Sequence, residues 1–202
     1  MEIETLAGLA RVVLGEPARK TPAFLVVLTH GSGGTPDTAD VLVVRDAALA
    51  LGAVTALVTQ PYVVRGARAP GSAARQDAAW EEIVATLKAR YPGLGVIQGG
   101  RSNGARVACR TAQAVGARGV IALAFPAHPP GHPERDRTPE IAQARTRVLV
   151  LNGDRDPFGV PQVKRRDDES TRVVVLPGET HALSKNPQVI GDAVTEWLRE
   201  VT

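Results

Sequence analysis

Short runs of aliphatic residues alternate along the chain with longer stretches in which apolar and polar residues are mixed. Six of these runs are predicted to be β-strands, at residues 23–29, 53–59, 94–98, 119–124, 147–152 and 172–177. Because almost every position in them is apolar, we expect strands covered on both faces, as in a parallel sheet. A seventh strand, at an edge of the sheet, is predicted at residues 10–17.

The longer stretches between the strands have the apolar spacing of helices. Helices are predicted at residues 38–51, 73–90, 103–115 and 187–201, the last with Asn186 as N-cap and Pro187 at the first helical position. The alternation predicts right-handed crossovers and one α/β domain over residues 1–202, with a doubly wound, mostly parallel sheet of six or seven strands. The proline-rich "FPAHPPGHPERDRTPE" at residues 125–140 is predicted to be a long loop, because proline blocks helix and strand interiors.

Charge and hydropathy argue against two classes of partner. The net charge of the 202 residues is only +3, and basic residues are interleaved with acidic ones, as in "RRDDESTR" at residues 165–172. A nucleic-acid-binding protein more often gathers its basic residues into one stripe. No apolar run approaches the roughly 20 residues that span a bilayer, and the N-terminal "MEIETLAGLARVVLG" lacks the basic and apolar regions of a secretory signal. We therefore expect a cytoplasmic protein that binds neither nucleic acid nor membranes.

Metal and disulfide chemistry are not predicted either. The single cysteine, Cys109, excludes an internal disulfide and a cysteine-based zinc site, and we expect it to be a small buried hydrophobic residue. His128 and His132 are four residues apart, but they lie in the proline-rich loop and no third ligand is evident. No cofactor is expected.

Polar residues follow the predicted strands where each strand ends. These segments are "HGSGGT" at residues 30–35, "GGRSNG" at 99–104, "NGDRDPFG" at 152–159 and "GETHAL" at 178–183. Ligands bind beyond the carboxyl ends of the strands in an open parallel sheet. A serine, two aspartates and a histidine are therefore predicted to meet at one edge of the sheet.

The segment "GRSNG" fits the G-x-S-x-G nucleophile elbow, in which Ser102 lies on a strained turn between a strand and a helix. Glycine is favoured at positions 100 and 104 because the backbone approaches its neighbours closely there. The backbone N–H of Asn103, at the helix start, is free to donate to a developing oxyanion. The alternatives are weaker, because no lysine follows the glycines as in a P-loop and the spacing is wrong for a dinucleotide fingerprint.

The order Ser, Asp, His along the chain is that of α/β-hydrolases, with His181 after the last strand as the general base. A surface-loop histidine is the alternative reading. The acid is Asp154 or Asp156. Asp156 is favoured because Pro157 holds it extended further into the loop, whereas Asp154 is close enough to the strand end to serve as a turn residue.

The glycine-rich "HGSGG" after the first strong strand suits the second oxyanion donor, from the backbone N–H of Ser32 or possibly Gly33. Its alternative role is a flexible glycine turn. His30 is expected to brace this loop rather than to transfer a proton.

Taken together, these residues resemble the α/β-hydrolase superfamily in its cap-less, dienelactone-hydrolase-like branch, and more closely the bacterial relatives of the testis-expressed and NSL-complex α/β-hydrolase-like proteins. The matching pieces are "LTHGSGG", "PYVVRGARAP", "GGRSNGARVA", "FPAHPPGHPE", "VLVLNGDRDPFG" and "GETHAL", in order over residues 28–183. The resemblance implies the fold and a triad whose acid occupies the G-x-x-D turn at Asp156. The chain departs from larger members in two ways. The segment where many of them insert a helical lid is short, so no lid domain is expected, and the first strand of a full-length sheet is expected to be missing.

The resemblance and the residues together predict a serine hydrolase that cleaves an ester or lactone of a small soluble substrate through an acyl-enzyme on Ser102. A thioesterase or acyltransferase with the same triad is one alternative, and a non-catalytic scaffold protein is another, because the group includes scaffold components. Tyr62, Arg65, Arg68 and Arg101 are predicted to contact the substrate, the arginines by steering an anionic ester or lactone. Ordinary surface ion pairs are the alternative role for these arginines. A homodimer is left open.

Overall fold

The computed structural model describes residues 1–18, 21–163 and 170–202; residues 165–169 of the mixed-charge stretch lie outside this part. The strands are β1 Glu2–Thr5, β2 Gly8–Gly15, β3 Phe24–Thr29, β4 Ala53–Thr59, β5 Gly95–Arg101, β6 Gly119–Leu123, β7 Arg147–Gly153 and β8 Thr171–Leu176. The helices are α1 Ala39–Ala50, α2 Pro61–Val64, α3 Ala73–Arg90, α4 Asn103–Val115, α5 Pro139–Ala142 and α6 Pro187–Val201. None of the helices in the described ranges has both the length and the hydrophobicity needed to cross a membrane.

The strands form a single eight-stranded sheet with the order β1-β2-β4-β3-β5-β6-β7-β8. The pairs from β4 to β8 are parallel, and β2 is antiparallel to both β1 and β4. The mostly parallel, doubly wound sheet was predicted, but its count of six or seven strands was too low. The expectation that the first strand is missing was wrong, because Glu2–Thr5 pairs with β2 and buries Ile3 against the core.

Helices cover both faces of the sheet, and the central strands divide their side chains between them. In β3, Phe24, Val26 and Leu28 face the layer formed by α1 and α6, while Leu25 and Val27 face α3 and α4. This alternation within a wholly apolar strand follows from the two-residue period of a β-strand. Burial on both sides fixes the register, and with it the positions of the loops at the carboxyl edge.

The proline-rich segment between β6 and β7 is mostly irregular, as predicted, and contains the short helix α5. It inserts no lid domain over the sheet edge. Strand β5 runs three residues beyond its predicted end, to Arg101, so the strand leads directly into Ser102.

Candidate active site

Ser102 lies between the last residue of β5 and the first residue of α4, with φ 54° and ψ −113°. A positive φ at a residue other than glycine costs on the order of 1–3 kcal/mol and persists only where the surroundings enforce it. Here the backbone N–H of Ser102 donates to the carbonyl of Leu123 at the end of β6, at 2.8 Å. The turn therefore has the strained geometry of a nucleophile elbow, with the serine at its tip.

The glycines on each side of the serine are required by close approach. A Cβ on Gly100 would lie 2.7 Å from the carbonyl oxygen of Thr29, and one on Gly104 would lie 2.6 Å from that of His30. Both neighbours are backbone atoms and cannot swing aside. The elbow is thus wedged against the end of β3, which brings the glycine-rich loop at residues 31–34 beside Ser102.

The side chains of Ser102, His181 and Asp156 form a continuous hydrogen-bonded chain. The Oγ of Ser102 is 2.9 Å from Nε2 of His181, and Nδ1 of His181 is 2.8 Å from Oδ2 of Asp156. The Asp156 side chain is fully buried, and its other oxygen accepts from the backbone N–H of Phe158 at 2.8 Å. Because an ionised carboxylate only accepts, Nδ1 carries the imidazole proton and Nε2 faces the serine hydroxyl.

Asp154 takes a different position. Its Oδ1 accepts from the backbone N–H of Gly178 at 2.7 Å and ties the end of β7 to the loop after β8. Asp156 therefore lies beside His181, whereas Asp154 joins two loops and, among the described residues, makes no hydrogen bond to its own turn.

Two buried side chains fix the peptide that joins Gly31 and Ser32. The backbone N–H of Gln60 donates to Nε2 of His30 at 2.9 Å, so Nδ1 of His30 is protonated and donates to the carbonyl of Gly31 at 2.7 Å. The hydroxyl of Tyr62 is 3.2 Å from the same carbonyl and 3.1 Å from that of Ser32. Burial lowers the pKa of His30 and raises the pKa of Tyr62 to about 12.

The orientation of this peptide determines where its N–H points. In a planar trans peptide the N–H and C=O groups point in opposite directions. Since the Gly31 carbonyl points towards His30 and Tyr62, the N–H of Ser32 points away from them. Within the described residues the N–H groups of Ser32 and Asn103 have no acceptor, and both residues line the same cavity as Ser102.

Arg101 connects the elbow to the histidine loop. Its Nε lies 3.1 Å from Oδ2 of the fully buried Asp40 in α1, as an ion pair without hydrogen-bond alignment. Its Nη2 donates to the backbone carbonyl of His181 at 2.7 Å. Burial raises the pKa of Asp40, and the charge of Arg101 opposes that rise. Arg101 borders the cavity with its Nη2 bound to the protein, and its role in steering a substrate stays a prediction.

A cavity of about 750 Å³ opens above Ser102, within the size range of small-molecule sites. Three of the predicted substrate contacts lie outside its lining, so that assignment is corrected. The chain after β4 turns at once into α2, which buries Tyr62 beneath the loop at residues 31–34 and directs Arg65 to the carbonyl of Ala7 at 2.9 Å. Arg68 is exposed, and the same loop reaches the cavity only at Pro70 and Gly71.

Three other arginines line the cavity and were not predicted from the sequence: Arg106, Arg110 and Arg137. Arg106 and Arg110 follow Ser102 by four and eight residues, so the helical period places them on the nucleophile's side of α4. This spacing could have identified both arginines from the sequence as neighbours of the site. Arg137 comes from the proline-rich loop, whose path no local pattern indicates.

Other reactive side chains lie outside this arrangement. Cys109 is completely buried, as predicted, and burial raises the pKa of its thiol to about 12. His128 contacts the carbonyl of Pro129, and His132 contacts Glu134. Among the described residues no three histidine, cysteine or acidic side chains come together as a metal site would require.

Comparison with known proteins agrees with this architecture. Residues 22–199 match the family described as alpha/beta hydrolase domain. No curated protein matches the chain. A lid-less α/β serine hydrolase from Xanthomonas campestris is similar in structure, with 18% identity, a TM-score of 0.76, and 99% of this chain and 93% of the other covered.

Two further solved structures are similar. A serine hydrolase homologue from Coxiella burnetii is 17% identical, with a TM-score of 0.82 over 98% of this chain and 96% of the other. Dienelactone hydrolase from Anabaena variabilis is 16% identical, with a TM-score of 0.75 over 100% and 96%. The closer kinship to the testis-expressed and NSL-complex proteins stays a prediction. Because the family model covers residues 22–199, the chain belongs to the alpha/beta hydrolase domain family, and its fold is shared with the lid-less and dienelactone-hydrolase structures.

Proposed function

We propose that this protein is a serine hydrolase that cleaves an ester or lactone bond of a small substrate through an acyl-enzyme on Ser102. The observation that carries the proposal is the chain of two hydrogen bonds from Ser102 through His181 to the buried Asp156, beside an open cavity. A scaffold protein has no need of a strained serine paired with an oriented imidazole. Keeping that strain makes sense where the hydroxyl reacts.

In the first half-reaction, Oγ of Ser102 attacks the substrate carbonyl while Nε2 of His181 accepts its proton. The carbonyl oxygen becomes an oxyanion, held by the N–H groups of Ser32 and Asn103, and Asp156 stabilises the imidazolium. The intermediate then collapses, the bond to the leaving alkoxide breaks, and His181 returns the proton to that oxygen as the alcohol departs.

In the second half-reaction, water attacks the acyl-enzyme and His181 accepts its proton. The carboxylic acid leaves, and Ser102 recovers its proton from His181. His181 is neutral at the start of each half-reaction, because only an unprotonated Nε2 can accept a proton. We further propose that the enzyme acts in the cytoplasm and uses no cofactor.

The test is labelling of the purified protein by a fluorophosphonate probe, with mass spectrometry to locate the modified residue. Wild type is expected to be labelled at Ser102, and Ser102→Ala and His181→Ala are expected to lose labelling. His132→Ala, which changes an exposed histidine outside the cavity, serves as the control and should label like wild type. Removal of the nucleophile should lower kcat by roughly 10⁶-fold if an ester substrate is turned over.

Failure of the folded wild-type protein to label would refute the mechanism and favour the scaffold role. If Ser102 is labelled, a matched series of esters, lactones and acyl thioesters decides between the ester or lactone hydrolase and the thioesterase alternative. A higher kcat/KM for thioesters of the same acyl group would overturn the ester assignment while leaving the nucleophile in place.

A further inference from the structure

Gln76 in α3 is a buried glutamine whose side chain joins the edge of the cavity to the nucleophile elbow. The residue is 6% exposed. Its Nε2 donates to the carbonyl groups of Gly71, which lines the cavity, and Ser72, at 3.2 and 3.3 Å. Its Oε1 accepts from Nδ2 of Asn103 at 2.6 Å. Because the two carbonyl oxygens can only accept, Nε2 must face them and Oε1 must face Asn103.

The contact with Asn103 bears on the oxyanion. Asn103 begins α4, and its backbone N–H is one of the two donors proposed to hold the oxyanion. The first N–H groups of a helix have no partner within the helix, so the hydrogen bonds of α4 do not fix where this group points. The bond from the Asn103 side chain to Gln76 anchors the residue that carries it.

Other contacts hold α3 against α4 independently of Gln76. Arg110 of α4 makes a two-pronged contact with Asp77 of α3, at 2.8 and 2.6 Å. Apolar side chains of both helices share one buried cluster, which includes Ile83, Val84, Leu87, Val107 and Val115. Loss of the Gln76 amide should therefore leave the two helices in place and be felt locally, at Asn103 and at the cavity edge.

We infer that Gln76 is a positioning residue, which holds Asn103 so that its backbone N–H points at the oxyanion formed during attack by Ser102. The inference rests on the proposed hydrolysis at Ser102. Because the oxyanion exists only after attack has begun, the contact should contribute to kcat and not to binding of the substrate in its ground state. A glutamine suits the position, since one amide group accepts from Asn103 and donates to the cavity edge at once.

The test uses para-nitrophenyl acetate, with kcat expressed per active site titrated by the fluorophosphonate probe. Gln76→Met has a similar size and lacks the amide. It should lower kcat and kcat/KM equally, by about 10-fold, which is less than the loss of a whole oxyanion donor, and should leave KM within about twofold. Gln76→Glu keeps an acceptor for Asn103, so its kcat should fall between those of wild type and Gln76→Met.

A double-variant cycle tests whether Gln76 acts through Asn103. Asn103→Leu keeps the backbone N–H and removes the side-chain partner, so it should lower kcat about as much as Gln76→Met. The double variant should be no slower than the slower single variant, because both changes break the same hydrogen bond. If Gln76→Met does not fold, Asn103→Leu and Gln76→Glu still measure the effect of that bond.

Thr111→Val is the matched control. Thr111 is buried about 12 Å further along α4, where its hydroxyl accepts from Gln98 at 3.0 Å and donates to the carbonyl of Val107 at 2.8 Å. Its replacement removes a buried polar contact of the same helix without touching Asn103. It should lower the urea midpoint and leave kcat per active site within about twofold of wild type.

An unchanged kcat in Gln76→Met, with or without a rise in KM, would overturn the inference while labelling of Ser102 leaves the proposed function standing. Additive losses in the double variant would do the same, as would an equal loss of kcat in Thr111→Val, which would make the effect of Gln76 merely structural. Failure of wild type to label at Ser102 would instead refute the proposed function, and the inference with it.

Discussion

Replacing Arg101 by methionine would leave the carboxylate of Asp40 buried in α1 without a cation. The Asp40 side chain is 0% exposed and that of Arg101 is 19% exposed, so solvent screens this pair little. Removing one partner of a buried pair typically costs about 3–5 kcal/mol. We expect Arg101→Met to lower the free energy of unfolding by that amount at neutral pH. The exposed pair of Arg45 and Asp46 provides the control, because Arg45→Met should change stability by no more than about 0.5 kcal/mol.

The stability lost in Arg101→Met should depend on pH, because it comes from the charge of Asp40. Burial already holds the pKa of Asp40 above its ordinary value of 3.8, so its contribution to stability is present below that value and is lost as pH rises through the raised pKa. Without Arg101 the pKa rises further. The deficit of Arg101→Met relative to wild type should therefore shrink in acid, where Asp40 takes up a proton, and grow towards neutral pH.

A double variant separates stability from catalysis. Arg101→Met with Asp40→Leu replaces the pair by apolar side chains and should recover most of the lost stability, as such replacements often do. It should not recover kcat, because the carbonyl of His181 still lacks its donor. Misplacement of a catalytic group by about 1 Å can cost 10²-fold, so we expect kcat to stay roughly 10- to 100-fold low.

Urea unfolding across a pH series and steady-state kinetics measure the two quantities independently. A double variant as unstable as Arg101→Met would refute the buried charge as the cause of the loss. Full recovery of kcat in the double variant would refute the positioning role of Arg101.

Two further predictions concern the loop at residues 31–34. Tyr62→Phe removes the hydroxyl that holds the Gly31 carbonyl, so the N–H of Ser32 should lose its alignment with the oxyanion. We expect kcat to fall roughly 10-fold, which is less than the 10²–10³-fold loss on removal of a whole oxyanion donor. An unchanged rate of fluorophosphonate labelling together with an unchanged kcat would contradict this prediction. For His30, burial lowers the pKa below its ordinary value of 6.5, so its contribution to stability is present above pH 6.5 and is lost as the pH falls through the lowered value. Urea unfolding should show wild type losing up to about 1.4 kcal/mol per pH unit relative to His30→Gln, and parallel pH profiles would contradict the assignment.

The parallel strands could be predicted because burial on both faces leaves them almost wholly apolar, a pattern that short segments seldom show otherwise. The first strand could not, since Glu2–Thr5 has four residues and only Ile3 faces the core. The buried Gln98 in β5 gave no signal either. Its amide accepts from the indole N–H of Trp80 at 2.8 Å and donates to the carbonyl of Ala108 at 2.6 Å, partners that only the folded chain brings together.

The candidate catalytic residues could be located because each lies in the loop that follows a strand, close to the strand's end, so the sheet largely fixes where they lie. Which side chains line the rest of the cavity depends instead on the paths of the loops after they leave the sheet. Arg65 was expected at the cavity and lies away from it, because α2 begins at Pro61 and redirects the chain. Arg137 was not expected there, yet the path of the proline-rich loop brings it to the wall.

The loop that carries His181 is closed by hydrogen bonds that the predicted N-cap of α6 does not account for. Asn186 is the N-cap of α6, with Pro187 following as predicted, but its side chain makes no capping hydrogen bond. Instead Oε1 of the buried Glu179 accepts from the backbone N–H groups of Lys185 and Asn186, at 2.8 and 2.7 Å. Glu179 thus ties the start of the segment containing His181 to its end at the N-cap of α6, a helix that packs in the core. The ring centroid of Phe158 lies 4.3 Å from that of the imidazole. An imidazole held in this way needs no lid to orient it, because the reorganisation that a closing domain would supply has already been made in folding.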